Sequence, residues 1–275
     1  MLSWFIDFKL HEDADLAGMN YDDAAAERLE AVYLGPDVIR QREDTLRRLA
    51  VKAGEQVLDI GSGPGFLSDA LAVQTGTPGK VVGVDISEQM VQRASSRAKQ
   101  DWLSYELADA TSLPFADGSF DVVVSTQVAE YVPDINAFCS EVFRVLKAGG
   151  RGIVLATDWD AVCWHSENPE RMERVLQAFA PHCANSRLPR TLASKLRNAG
   201  LSVDDVSYFS IVNVDRYDGC YGEMVVPFIS AYVMGQGTIS ESELLDWAKE
   251  QDDLDERGEH FFSTGRFSFA VTKPR

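Results

Sequence analysis

Three glycines at alternating positions, Gly61, Gly63 and Gly65, lie in QVLDIGSGPGFLSDALA, where an apolar run gives way to a helical pattern. Glycine at such a place permits a tight turn or lets a ligand come close to the main chain. A dinucleotide's pyrophosphate is held by G-x-G-x-x-G at a helix start. Here the spacing is G-x-G-x-G followed by Phe66, and Pro64 removes an N–H that could have bonded phosphate. The glycines alone equally fit a plain turn, so the acids that follow carry the decision. Asp59, Asp85 and Asp109 end three consecutive strand-like runs. Asp85, twenty residues after Gly65, stands where nucleoside-binding α/β folds place a carboxylate that accepts ribose hydroxyls. Asp109 and the backbone N–H of Ala110 are set to meet an adenine edge. Carboxylates rather than Lys or Arg surround the loop in the sequence, which points to an adenosine without phosphates joined to a cationic group. S-adenosylmethionine has that make-up.

Positioning these residues requires alternating strands and helices. After helical patterns from about Asp22 to Ala50, broken at Gly35-Pro36, the runs QVLDIG, KVVGVDIS, LSYELAD, SFDVVVSTQ and RGIVLATD alternate with helix-patterned stretches. Two late strands follow, LSVDDVSYFSIV and RFSFAVTKP. The fold class expected is α/β: a doubly wound, seven-stranded, mostly parallel, Rossmann-like sheet, with N-terminal helices and a helical insertion before the last strand. About fifty residues of unstructured link inside a domain would be anomalous, so 213–264 reads as that insertion. The divisions expected are an N-terminal helical cap over 1–50, a core over 51–212, the insertion over 213–264 and a final core strand over 265–275.

The 26 Lys and Arg against 43 Asp and Glu give a formal charge of −17 with no basic block, which argues against nucleic acid as a partner. Cys139, Cys163, Cys183 and Cys220 are widely spaced and form no CxxC, so neither a metal site nor a disulfide framework is expected. The apolar start MLSWFIDFKL is interrupted by Asp7 and Lys9, and no later run has the length of a membrane span. A cytoplasmic protein acting on a small molecule is the expectation.

Four segments in order, VLDIGSGPG, VVGVDISEQMVQRA, LADATSLPFADGSFDVVVS and EVFRVLKAGGRGIV, resemble the class I S-adenosylmethionine-dependent methyltransferases. They are most similar to the group that includes the ubiquinone/menaquinone-biosynthesis C-methyltransferases and many small-molecule O-, N- and C-methyltransferases. The resemblance implies that Gly61, Gly63 and Gly65 accommodate the methionine portion with Asp59 in support. It implies that Asp85 takes the ribose, Ile86 and Met90 flank the adenine, Asp109 and Ala110 read its edge, and Gln127 faces the methionine end. N-terminal helices often close over the cofactor in this group, which brings in Tyr33 and Tyr21. At STQVAEYVPD, where quinone-type relatives often carry a His pair, this chain has Glu130 and Tyr131, which counts against a quinone acceptor.

Methyl transfer from a sulfonium is an in-line displacement, for which holding the acceptor in place supplies much of the acceleration. Where the acceptor must lose a proton, Tyr131, His165 and Glu130 are the catalytic residues expected, with Asp158 and Asp160 also near strand ends. Trp159 and Trp164, in ATDWDAVCWHS, are the substrate-binding residues expected. Arg190 offers a cation to an anionic acceptor. The insertion, rich in Met224, Val225, Phe228, Ile229, Tyr232 and Met234, fits a lid or the face of a homodimer equally well. An alternative is a protein that binds S-adenosylmethionine without transferring methyl, as a cyclase-type enzyme or a sensor. A nicotinamide oxidoreductase is disfavoured by Pro64 and Phe66.

Overall fold

Strands β1 (Gln56–Ile60), β2 (Lys80–Asp85), β3 (Leu103–Leu107), β4 (Phe120–Thr126) and β5 (Leu146–Thr157) pair in parallel in the computed structural model, which describes residues 23–275. Their order across the sheet is β3-β2-β1-β4-β5, followed by β8 (Phe262–Thr272), which runs antiparallel to β5 from Arg151↔Thr272 to Thr157↔Arg266. β7 (Ser202–Asn213) pairs with β8. The direction of winding reverses between β1 and β4, the place where open α/β sheets form their ligand crevice. One strand beyond the seven expected is β6 (Cys163–Trp164), whose partners are Ser263 and Phe262. Two residues are too few to carry a period-2 signal.

The central strands are apolar on both faces because helices cover both. Leu58, Ile60, Val82, Val84 and Val123 pack with Phe138 and Val142 of α5 (Ile135–Val145) and Leu192 and Leu196 of α7 (Pro189–Asn198). Val57, Val81, Val122 and Val124 pack on the opposite side with Leu49 of α2 (Pro36–Leu49) and Leu67 and Leu71 of α3 (Phe66–Thr75). Side chains of this kind contribute about 1.5–3 kcal/mol each when fully buried. Helix starts are fixed by short polar side chains. Ser87 accepts the Met90 N–H at the head of α4 (Glu88–Arg97), and Asp134 accepts those of Asn136 and Ala137 at the head of α5.

The chain divides into two units. The α/β core takes 38–162, 183–211 and 264–275; a helical unit takes the chain through Asp37, 163–182 and 212–263. Thus most of α2 belongs to the core, and 163–182, with α6 (Pro169–Phe179), joins the helices. Periodicity reveals that a helix buries a face and is silent on what covers it; the units change over after Asp37 and before Val212, and the divisions expected from sequence were at 50 and 212.

Inside the helical unit are α1 (Asp23–Leu34), α6, α8 (Tyr221–Gln236) and α9 (Glu241–Glu256). Two buried carboxylates organise it. Asp37 accepts from Asn213 Nδ2, Tyr217 Oη and the Tyr221 N–H at 3.0, 2.9 and 2.9 Å. Glu250 accepts from Ser166 Oγ, the N–H groups of Glu167 and Asn168, and Arg171 Nη2 at 2.7 Å. Among the described residues no helix is long and apolar enough to cross a membrane.

Candidate functional site

The glycine loop leaves the end of β1 with Gly61, Gly63 and Gly65 all in the left-handed region, at φ 73°, 51° and 89°. A Cβ on Gly61 would lie 2.1 Å from the Val128 side chain, and one on Gly65 would lie 2.4 Å from Tyr105 Oη. Two of the glycines are therefore required by the protein's own packing. Gly83, in the middle of β2, makes room for the Tyr105 ring, since a Cβ there would come within 2.5 Å of it. Tyr105 Oη then donates to the Gly65 carbonyl at 3.2 Å. A lone glycine inside a strand is the sequence sign of such an approach, and it is the signal by which Tyr105 could have been found.

Asp85 ties this loop to the end of β2. Its Oδ2 accepts the Gly63 N–H and its Oδ1 the Ser87 N–H, each at 2.9 Å. Burial pushes its carboxyl up, opposed by the N–H groups of Ser87, Gly63 and Ile86. Asp59 lies beneath the loop, fully buried, and receives the Ser68 hydroxyl at 2.6 Å. Its pKa is pushed up to about 7, first by burial and further by neighbouring Asp85, with the Ser68 bond acting the other way. Ile86, 54% exposed, gives the rim an open apolar surface, and Leu107 does the same at the end of β3. Met90 is sealed in the core at 2% exposure.

Asp109 uses Oδ1 to accept the Thr111 N–H and hydroxyl at 2.8 and 2.7 Å, the bonding of a turn-former, while the Ala108 N–H reaches the Asp85 carbonyl at 3.0 Å. After β4, Gln127 takes φ 58° and donates its N–H to the Leu155 carbonyl at 2.8 Å. A non-glycine residue held in the left-handed region marks a spot the surroundings over-determine, often a ligand site. The Ser62 hydroxyl, inside the loop, is buried and has no hydrogen-bond partner among the described residues.

The expectation that no arginine borders the loop needs correction. Arg97 Nη1 donates to the Pro64 carbonyl at 2.7 Å, and its guanidinium lies 4.1 Å from the centre of the Phe66 ring, with that of Arg42 at 5.4 Å. Both come from helices remote in sequence, and the Pro64 bond shows what the Arg97 cation does there: it fastens the loop's carbonyl side.

Of the residues expected to act on the acceptor, Glu130 is fully buried in a 3-10 turn after β4, where Oε1 accepts the Thr157 N–H at 3.0 Å. Burial holds its pKa at about 7 against the Thr157 bond and the charge of Arg266. Cys183 lies close enough for Glu130 to add to the effect of burial in lifting its thiol to about 12. Tyr131 is half-buried in the same turn. Trp159 is half-buried in the core, its main-chain N–H donating to the Ser186 carbonyl at 2.9 Å. Trp164 and His165 belong to the helical unit, the first buried and the second exposed, and Tyr33 of α1 belongs there too. Tyr21 lies outside the described residues. Asp158 is committed to a two-pronged pair with Arg190, at 2.7 and 3.0 Å, and Arg190 and Arg187 also reach Asp160. These ion pairs use up the charge of both acids and of Arg190. Among the described residues no cluster could hold a metal ion.

The site fits an adenosyl group: a carboxylate fixed at the end of β2, an open apolar rim, and a loop whose Pro64 has no N–H to offer a phosphate. Residues 58–154 match the methyltransferase domain family. An uncharacterised 37.1 kDa protein in transposon Tn4556 of Streptomyces fradiae is 31% identical over 71% of this chain and 58% of its own length. Demethylmenaquinone methyltransferase of Lactobacillus johnsonii is 37% identical over 42% of this chain and 49% of its own. The chain thus spans about half the length of the curated relatives it matches. Phosphoethanolamine N-methyltransferase 2 of Haemonchus contortus, solved with S-adenosyl-L-methionine, superposes with a TM-score of 0.63 at 21% identity over 98% of this chain and 60% of that one, a likeness of fold. Strand order, glycine loop and strand-end carboxylates agree with that match: residues 58–154, within the α/β core, form a domain of the methyltransferase domain family, and the core has the fold of the methyltransferases it superposes on.

Proposed function

We propose that the protein transfers a methyl group from S-adenosylmethionine to a small-molecule acceptor, on oxygen, nitrogen or carbon. The observation that carries this is the Asp85 carboxylate, pinned between the Gly63 and Ser87 amides at the point where the sheet reverses. Bound there, S-adenosylmethionine supplies an electrophilic methyl on a sulfonium. The chain's own residues bind and orient. Asp85 accepts the ribose hydroxyls with the lone pairs its two amide bonds leave over, Ile86 lies against the adenine, and the edge of that base meets the Asp109–Ala110 turn. Gly61, Gly63 and Gly65 hold the main chain close to the methionine portion, and Asp59 supports them through Ser68. Gln127 meets the methionine end.

Glu130 is a positioning residue in this reading, since it is fully buried and holds the 129–131 turn to the end of β5 through the Thr157 N–H. Tyr131, on the same turn and partly open, is the one of that pair that touches the acceptor. Neither the acidic composition nor the widely spaced cysteines favour a nucleic acid, an exported setting or a metal, so the acceptor is a metabolite met in the cytoplasm.

Calorimetric titration with S-adenosylhomocysteine, followed by its detection as product from S-adenosylmethionine and a pool of phenols, amines and quinols, tests the reading. Saturable binding with product formed is expected. Binding without product across the pool turns the reading to a sensor or another activity, and absence of binding removes it.

A further inference from the structure

Asp59, Gly83 and Tyr105 are paired in register across β1, β2 and β3, so the three positions share one face of the sheet. The middle position has no side chain, and the Tyr105 ring lies across it: a Cβ on Gly83 would come within 2.5 Å of that ring and 2.9 Å of the Ser62 Cβ. Ser68, in the first turn of α3, closes the row by donating to Asp59 Oδ2 at 2.6 Å. An acid of β1 is thereby sealed beneath the glycine loop, at 1% exposure and wholly within the α/β core.

The charges around Asp59 are one-sided. β2 contributes Asp85, a second carboxylate that opposes ionisation of the first. β3 contributes Tyr105, whose hydroxyl is kept neutral by burial, with Asp69 and Asp59 adding to the effect. β4 offers the apolar Val124 in register with Asp59. α3 adds Asp69, next to Ser68, and it is Asp69 on which Arg97 and Lys99 act. Arg97 of α4 is further engaged by the Pro64 carbonyl, and it and Arg42 of α2 lie against the Phe66 ring. Among the described residues no cation acts on Asp59, and the Ser68 hydroxyl alone favours its charged form against burial and Asp85. A carboxyl so placed ionises at neutral pH when a positive charge is brought near it. In a buried, low-dielectric setting that charge is felt without contact.

On the proposed cofactor reading, the donor S-adenosylmethionine and the product S-adenosylhomocysteine share adenosine, ammonium and carboxylate, and differ in the methyl group and the charge of the sulfonium. We infer that Asp59 is the residue that reads this charge, ionising beneath the loop when the cationic donor binds and regaining its proton beside the neutral product, so that donor is favoured over product. The proton given up on binding goes to solvent, and one returns from solvent once the sulfur is neutral. Asp59 is thus a specificity-determining residue that acts through the loop, and Tyr105 and Gly83 seal it there.

The test is calorimetric titration of the full chain with S-adenosylmethionine and with S-adenosylhomocysteine. It is run in phosphate and in imidazole, whose different heats of ionisation report the protons released. At about pH 6.5 the α-amino groups of both ligands are protonated, since that lies below their ordinary range. Expected is a larger proton release with S-adenosylmethionine, and a donor-to-product affinity ratio that rises about threefold from pH 5.5 to pH 6.5, as a carboxyl titrating near neutrality requires. Asp59→Asn, which still accepts from Ser68 and cannot ionise, should equalise proton release, weaken S-adenosylmethionine relative to S-adenosylhomocysteine and leave the ratio level with pH. A purely structural Asp59 would weaken both ligands alike. Equal proton release by the two ligands in the unaltered protein, or a ratio level with pH there, overturns the inference without any variant. Persistence of the pH-dependent ratio in Asp59→Asn, or equal weakening of both ligands, overturns it as well. In all these outcomes the ligands bind and the cofactor reading stands, whereas binding of neither ligand removes the cofactor reading and this inference with it.

Discussion

The Asp85 carboxylate grips the amide of Gly63, twenty-two positions earlier in the chain, at 2.9 Å, so the residue proposed to take the cofactor's ribose also shapes the loop beside it. Asp85→Ala should therefore weaken S-adenosylhomocysteine binding by more than one lost ligand contact explains. Asp85→Asn, which keeps one acceptor oxygen, should fall between the two. Calorimetry of the three proteins checks the order, and unchanged affinity in Asp85→Ala would remove Asp85 from the site.

Gly61 and Gly76 share a positive φ, 73° and 52°, and differ in surroundings. A Cβ at Gly61 strikes Val128, whereas one at Gly76 meets nothing within 4 Å. Alanine at 76, where ψ is −169°, should cost about 1–3 kcal/mol, the backbone strain alone. Alanine at 61 should cost distinctly more in denaturant melts, and pairing it with Val128→Ala should recover part of the loss. Equal costs at the two positions would show that the close approach to Val128 relaxes freely.

Glu130 has a folded-state pKa of about 7, above the ordinary carboxylate value of 4.5. The folded protein then holds a proton that the unfolded chain has released, so stability declines as pH rises from about 4.5 to 7 and is level beyond. Glu130→Gln keeps an acceptor for the Thr157 N–H and cannot ionise. It should raise Tm above pH 7, by up to about 3 kcal/mol of stability, and flatten the profile in that window. Asp59→Asn should behave alike from about pH 4 to 7. Melting curves across pH that coincide for variant and parent would refute the assignment.

Asp158, an acid at the end of β5 that chemistry could have used, is held by both arms of Arg190. Asp158→Asn should lower Tm slightly and leave the pH dependence of kcat where it was. A displaced pH profile would make Asp158 a proton carrier after all.

How much of this was legible depends on whether a feature is local in the chain. The glycine loop and the strand-end Asp85 sit at fixed offsets within one βαβ unit, so their relation follows from spacing. The loop's fastening does not. Arg42, Arg97 and Tyr105 reach it from separate elements, and only Gly83 left a trace of the approach. Glu130 carries the sequence pattern of an accessible acid after a strand, and its burial comes from β5 and the turn near Cys183 folding against it. The two tryptophans, five residues apart in sequence, fall in different units for the same reason: the unit boundary at Val162 is set by packing.

The antiparallel seam between β5 and β8 has a consequence for synthesis. Arg151–Thr157 of β5 find their outer partners only in Arg266–Thr272, across more than a hundred intervening residues. A nascent chain that has already laid down the glycine loop and five strands still carries that bare edge, a template for wrong pairing. Chaperone demand should peak during this interval, and ribosomal pausing before residue 266 should yield aggregate in preference to a soluble fragment.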